Sequence, residues 1–193
     1  MNLTYNISYS SEHKFIWYRT AKCGTRSILK IFENNKNIVS ENNIKLKLHW
    51  NQYFKFAIVR NPWDRLLSAW KDKVQKQWSS PGHHPFRLDV YKKYKNKSFS
   101  FFVKNIDPNM DRHIMYLSNL IDLKNINYIG RFENLQQDFD KICDEIGISR
   151  QQLPHKNKTE HKHYTEYYNV ETCNIVAKKY KKDIECFGYK FEK

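Results

Sequence analysis

The chain is short of acidic residues, has only four cysteines and contains no long apolar run. Twenty Asp and Glu stand against 34 Lys and Arg, a net charge of +14. That surplus points to an anionic partner: nucleic acid, a membrane surface, a nucleotide or an acidic polymer. A basic surface kept for solubility, with lysine favoured by an AT-rich genome, accounts for it without any ligand. Cys23, Cys143, Cys173 and Cys186 form no CxxC pair. Cysteines so few and so irregularly spaced make neither a disulfide framework nor a zinc site, which suits a reducing cytosol. The N-terminal MNLTYNISYSSEHKF has no apolar signal-peptide core, and no run approaches transmembrane length. A cytoplasmic, soluble chain without a transmembrane segment is therefore expected. Repeats and low-complexity linkers are also missing, so a single domain over 1–193 is expected, long enough to bury a real core.

What is present is an alternation of apolar runs and amphipathic segments. Phe15–Tyr18 is a short buried-strand pattern, followed by a helix from Thr25/Ser27 to Phe32 with Ile28, Ile31 and Phe32 on its stripe. NNKNIVSENN is a polar break. Tyr53–Val59 is rich in β-formers and stops at RNP, where Pro62 can open a helix carrying Leu66, Leu67, Trp70 and Val74 on one face. SSPGHHPFRLDV is a loop. Ser98 caps a helix bearing Phe99, Phe102, Val103 and Ile106, and a short helix is expected around 111–120. INYIG is a third strand, and Leu135–Ile146 the helix after it. LPHKNKTEHKHY is polar and irregular, and a last helix runs from Val170 to Tyr180. This order predicts an α/β fold with a small central parallel sheet flanked by helices, whose ligand sits at the carboxyl ends of the strands.

Two stretches carry chemistry. In AKCGTRS a lysine precedes a glycine, hydroxyls follow at Thr25 and Ser27, and a helix begins. Backbone N–H groups at a helix N-terminus favour an anion, and Lys22 adds a point charge. The Walker pattern of ATPases, with its second glycine followed by Lys and Ser/Thr, is missing. In FAIVRNPWDRLLSAW, Arg60 falls at the carboxyl end of a strand and Ser68 two helical turns later, where both could share an anion. Alternatively, Arg60 and Arg65 cap the sheet or pair with Asp64, and Ser68 is a small residue that permits close helix packing.

Together KxGTxS after a first strand and VRNPWDRLLSAW after a second resemble the two nucleotide-binding signatures of sulfotransferases that use 3′-phosphoadenosine-5′-phosphosulfate (PAPS), in particular the carbohydrate sulfotransferase group with its bacterial and viral relatives. The resemblance continues through YIGRFENLQQDFDKICDEIGI, LPHKNKT and YKKDIECFGYKF, covering about 15–191. It implies a P-loop-like three-layer fold. It places Lys22, Cys23, Gly24, Thr25, Arg26 and Ser27 around the 5′-phosphosulfate, Arg60 and Ser68 on the 3′-phosphate, and, more loosely, the Lys156–Thr159 loop, with Lys158 and Thr159, over the nucleotide. Many relatives have proline where this chain has Ala21; proline there stiffens the turn.

The implied reaction moves a sulfuryl group from PAPS to an acceptor hydroxyl, a saccharide or glycolipid by default, with 3′-phosphoadenosine-5′-phosphate as product and no metal or ATP. Like phosphoryl transfer it calls for in-line geometry and charge stabilisation, with Lys22 acting on the bridging oxygen. The acceptor needs a general base. Between the two signatures lie His49, with a near-neutral reference pKa, and Glu41. His49 is slightly preferred here, with a surface histidine beside an aromatic cluster as the alternative. His113 falls in a block that relatives place near the acceptor pocket. Arg131 and Glu133 orient substrate or bridge strand to helix, Trp78 and the SSPGHHPFR loop are the expected acceptor contacts, and the cysteines are bystanders. Competing readings are a basic nucleic-acid- or nucleotide-binding module without catalysis, a nucleotide kinase, and a degenerate sulfotransferase serving as a scaffold. The first lacks an RNA-binding aromatic motif and the second lacks its Walker residues.

Overall fold

The computed structural model describes residues 4–75, 88–154 and 162–192. The chain divides into two compact units, Met1–Arg60 with Leu117–Thr159 and Asn61–Tyr116 with Glu160–Lys193.

The first unit is built on a five-stranded sheet of order β3-β1-β2-β4-β5. Its strands are β1 (Tyr5–Ser10), β2 (Phe15–Tyr18), β3 (Val39–Ile44), β4 (Phe54–Val59) and β5 (Tyr128–Arg131). β2, β4 and β5 run parallel, as the pattern of apolar runs predicts. β2 is buried at every position and β4 at all but its first, the signature of strands covered on both faces. The other two strands depart from the sequence expectation. β1 pairs antiparallel with β2, and β3 pairs antiparallel with β1, so NNKNIVSENN is not simply a break. β3 is an edge strand with no apolar face of its own, so composition could not announce it. Its pairing with β1 creates it.

Helices α1 (Thr25–Phe32) and α5 (Leu135–Glu145) belong to this unit. Phe15, Trp17 and Phe56 share one sheet face, with Trp17 and Phe56 stacked at 6.1 Å. Phe32 of α1 packs on Phe15 and Trp17, and Phe139 of α5 packs on Phe32. Large aromatic rings removed from water at such positions contribute about 2–3 kcal/mol each. They build the layer that fixes where the β2–α1 loop emerges.

The second unit is helical: α2 (Pro62–Trp70), α3 (Leu88–Tyr94), α4 (Phe99–Asn105), α6 (Val170–Lys179) and α7 (Lys181–Phe187). Its core includes Trp63, Leu66, Leu67, Trp70, Phe102 and Tyr180. Ser98 caps α4 as predicted, accepting from the N–H of Phe101 at 3.2 Å. Two expectations fail. Residues 111–120 form turns and one 3-10 turn (Leu117–Asn119), not a helix. The Asp111 carboxylate there takes the His113 N–H at 2.8 Å, a local bond that competes with helix. The final helical segment continues beyond Tyr180 as α7, ended by Gly188 in the left-handed region. Among the described residues no helix is long and apolar enough to cross a membrane.

Candidate active site

The β2–α1 connection of the first unit is a tight loop held by its own side chains. Thr20 donates its hydroxyl to the Ile58 carbonyl at 2.5 Å, tying the loop to β4. Thr25 donates to the Thr20 carbonyl at 2.5 Å, closing the loop on itself. Lys22 (φ 69°) and Gly24 (φ 79°) both adopt left-handed backbone. For lysine that conformation costs about 1–2 kcal/mol, the kind of strain that collects where function needs a fixed geometry. At Gly24 a Cβ would also lie 2.5 Å from Leu135 Cδ2, so that methyl would have to shift.

Gly24 caps α1 without any side-chain hydrogen bond. Ser27 and Ile28 both donate their N–H to the Gly24 carbonyl, so the amides of Gly24 and Thr25 precede the first helical bond and point where a helix N-terminus binds anions. The Thr25 and Ser27 hydroxyls each bond to a backbone carbonyl. Thr25 spends its proton on Thr20, and Ser27 donates to the Pro154 carbonyl at 3.1 Å. In this arrangement the hydroxyls shape the loop. Ser27 thereby anchors the point at which the chain enters Lys156–Thr159; Lys158 and Thr159 themselves lie outside the described residues, as do Trp78 and the loop through Arg87. Arg26 is exposed.

Arg60, at the end of β4, is 7 % exposed. Its Nη1 donates to the Lys22 carbonyl at 3.0 Å, and its guanidinium lies over the Phe132 ring at 4.0 Å. Two motifs 38 residues apart thus meet within one unit. Phe132 was not foreseen, although it lies in the RFENL block beside Arg131 and Glu133. Arg131 fastens strand to helix through its backbone: its N–H donates to the Asp138 carboxylate at 2.6 Å, which also accepts from Tyr128 Oη at 2.7 Å. Burial, then that bond to Asp138, pushes the Tyr128 hydroxyl up to about 12.

In the second unit, α2 exposes little. Only Asp64 and Ser68, one turn apart, are not buried. Asn61 caps the helix, accepting from Trp63 N–H at 3.1 Å, and its amide donates to the Lys190 carbonyl at 2.9 Å. Arg65 donates to the Met115 carbonyl at 2.8 Å. Much of NPWDRLLSAW is therefore scaffold, with Ser68 left on the accessible face. His113, half-buried, places Nδ1 2.6 Å from Asp111 Oδ1.

The two other base candidates belong to the first unit. Glu41 is half-buried on β3 and accepts from Tyr9 Oη at 2.8 Å. Its register, through Ile7, is level with Tyr18 at the carboxyl end of β2. His49 is exposed on the 3-10 turn Leu48–Gln52. Its ring meets Trp50 and Tyr53 near the amino end of β4, the opposite end from Arg60. All four cysteines are free thiols. Cys23 is buried in the loop with Sγ on the Ala21 carbonyl at 3.4 Å. Burial pushes the Cys143 thiol up to about 11, so it is not a thiolate at neutral pH.

The sulfotransferase family model matches residues 5–190, and the chain belongs to that family. Carbohydrate sulfotransferase 10 of Xenopus laevis is 29% identical over 72% of this chain and 48% of its own length. The Gallus gallus protein of the same name is 30% identical over 95% of this chain and 66% of its own. The chain thus spans about half to two thirds of the length of these relatives. Among solved structures, a sulfotransferase from Alicyclobacillus acidocaldarius aligns over 72% of this chain and 56% of that one, at 14% identity and a TM-score of 0.35, too slight a likeness to carry an argument.

Proposed function

We propose that the chain is one sulfotransferase domain that transfers a sulfuryl group from PAPS to a hydroxyl, on a carbohydrate acceptor. One observation carries this reading: the Arg60 guanidinium, stacked on Phe132, donates to the carbonyl of Lys22 in the β2–α1 loop. The cation of one motif is thereby held against the anion-binding turn of the other. The amides of Gly24 and Thr25 and the Arg60 guanidinium lie along this turn, and Lys22 belongs to it. They suit a nucleotide that carries negative charge at both its 3′ and 5′ positions. The names of the relatives support a carbohydrate as the acceptor.

In this reading Lys22 and the loop amides take up charge growing on the bridging oxygen, an effect worth about 3–4 kcal/mol per well-placed donor. Arg60 selects the 3′-phosphate; the resemblance also assigns Ser68 to that phosphate and Lys158 and Thr159 to the nucleotide. The loop's own bonds, Thr20 to Ile58 and Thr25 to Thr20, hold these groups ready before binding. Glu41 is the base. It stands level with the carboxyl end of β2, whereas His49 stands beside the amino end of β4.

A thermal-shift series with 3′-phosphoadenosine-5′-phosphate, ATP and AMP tests the reading. The bisphosphate should stabilise the wild type clearly more than AMP does, and Arg60→Ala should erase the difference. Equal shifts from the bisphosphate and AMP on the wild type would refute it, and stabilisation only by long nucleic acid, falling steeply with salt, would favour a binding module instead.

A further inference from the structure

Glu41 is held from two directions by residues that neither signature contains. Tyr9 Oη donates to Glu41 Oε1 at 2.8 Å. Arg19 Nη2 donates to the Glu41 carbonyl at 2.7 Å and to Asn42 Oδ1 at 2.7 Å. Among the described residues β3 is the edge of the sheet, with a partner on one side only. An edge strand of this composition has no packing of its own to fix a side chain. Tyr9 and Glu41 are on one face because Tyr9 pairs with Val39, two residues before Glu41. The Tyr9 ring is itself locked against Trp50, 4.7 Å between centroids. Its bond to Glu41, with burial behind it, pushes the Tyr9 hydroxyl's pKa up, so it remains a donor. Arg19 is the first residue after β2 and begins the loop that leads to Lys22. Glu41 lies two strand spacings from Tyr18, about 10 Å across the sheet.

Resting on the function proposed above, we infer that Tyr9 and Arg19 are positioning residues for Glu41: Tyr9 orients the carboxylate and Arg19 fixes the strand that carries it to the start of the phosphate loop. Glu41 Oε1 is turned to Tyr9, and Oε2 faces the acceptor. As the acceptor oxygen bonds to sulfur, its proton passes to Oε2. The bond from sulfur to the 5′-phosphate oxygen breaks, and its electron pair leaves with 3′-phosphoadenosine-5′-phosphate.

The test uses PAPS with water as acceptor, followed as release of 3′-phosphoadenosine-5′-phosphate, together with thermal midpoints and the shift induced by that product. Glu41→Gln still accepts from Tyr9 and should lower kcat at least roughly 100-fold. Tyr9→Phe keeps the ring on Trp50 and should lower kcat roughly 10- to 100-fold with KM for PAPS unchanged. Arg19→Ala should do the same, with partial recovery in Arg19→Lys. All of these should keep the product-induced shift. A Tyr9→Phe protein with a lowered midpoint but normal kcat would make the contact a mere sheet staple and overturn the inference. Normal kcat in Glu41→Gln, or a wild-type rate no faster than buffer despite bound product, would overturn it as well. Absence of any product-induced shift in the wild type removes the underlying function and this inference together, and is distinguishable from the other outcomes by that readout.

Discussion

The chain turns from strand into helix after β2 and again after β4, and the two turns use opposite devices. At the first, the helix cap is Gly24, with no side chain to accept from the first-turn amides. At the second, Asn61 accepts from Trp63 N–H and Pro62 has no N–H to offer. One helix start has no side-chain cap; the other is capped and anchored to Lys190 and Tyr164. The comparison teaches that a helix N-terminus becomes a candidate phosphate site when its cap is withheld and strained backbone is accepted in its place.

The largest effect should come from Lys22. Lys22→Ala should lower kcat of sulfuryl transfer about 100- to 1000-fold with the fold intact. Lys22→Gly should lose activity equally while raising stability by about 1 kcal/mol, because it releases the left-handed lysine. Parallel losses of stability and activity in Lys22→Gly would show that this turn is scaffold like the other. Next is Gly24→Ala, which should destabilise by about 1–2 kcal/mol from the left-handed backbone, with a smaller part from displacing Leu135. Adding Leu135→Ala should recover the clash but not the strain, so chemical denaturation of the pair should be non-additive.

At the capped turn, Asn61→Ala should cost about 2 kcal/mol, from the cap and the bonds its amide makes, in the same denaturation assay. The shift induced by 3′-phosphoadenosine-5′-phosphate should persist. The smallest effect belongs to the third junction, β5 to α5, clasped by Asp138. Tyr128 ionises at about 12 in the folded chain against 10.0 when free. Its raised pKa contributes stability that is present below pH 10 and lost as pH rises through 12. Tyr128→Phe should flatten that part of the alkaline stability curve; an unchanged slope in a pH titration of the midpoint would show that Asp138 holds the junction through Arg131 N–H alone.

Much of this was legible from the chain itself. Buried runs such as FIWY and FKFAIV announce central parallel strands because a strand covered on both faces needs apolar residues throughout. The loop lysine, the glycine and Arg60 stand out by type and spacing. The Asn61–Pro62 and Ser98 caps follow from local chemistry that needs no distant partner. The α/β class and the central strands thus follow from residue type and spacing alone. Only the tertiary structure decided that β1 and β3 widen the sheet, since an edge strand is made by pairing rather than by composition. The same holds for the bonds of the Thr25 and Ser27 hydroxyls to Thr20 and Pro154, for Phe132 under Arg60, and for Tyr9 and Arg19 converging on Glu41. Each of these is a contact between residues far apart in the chain. Local propensity carries no information about such contacts until packing has brought the strands together.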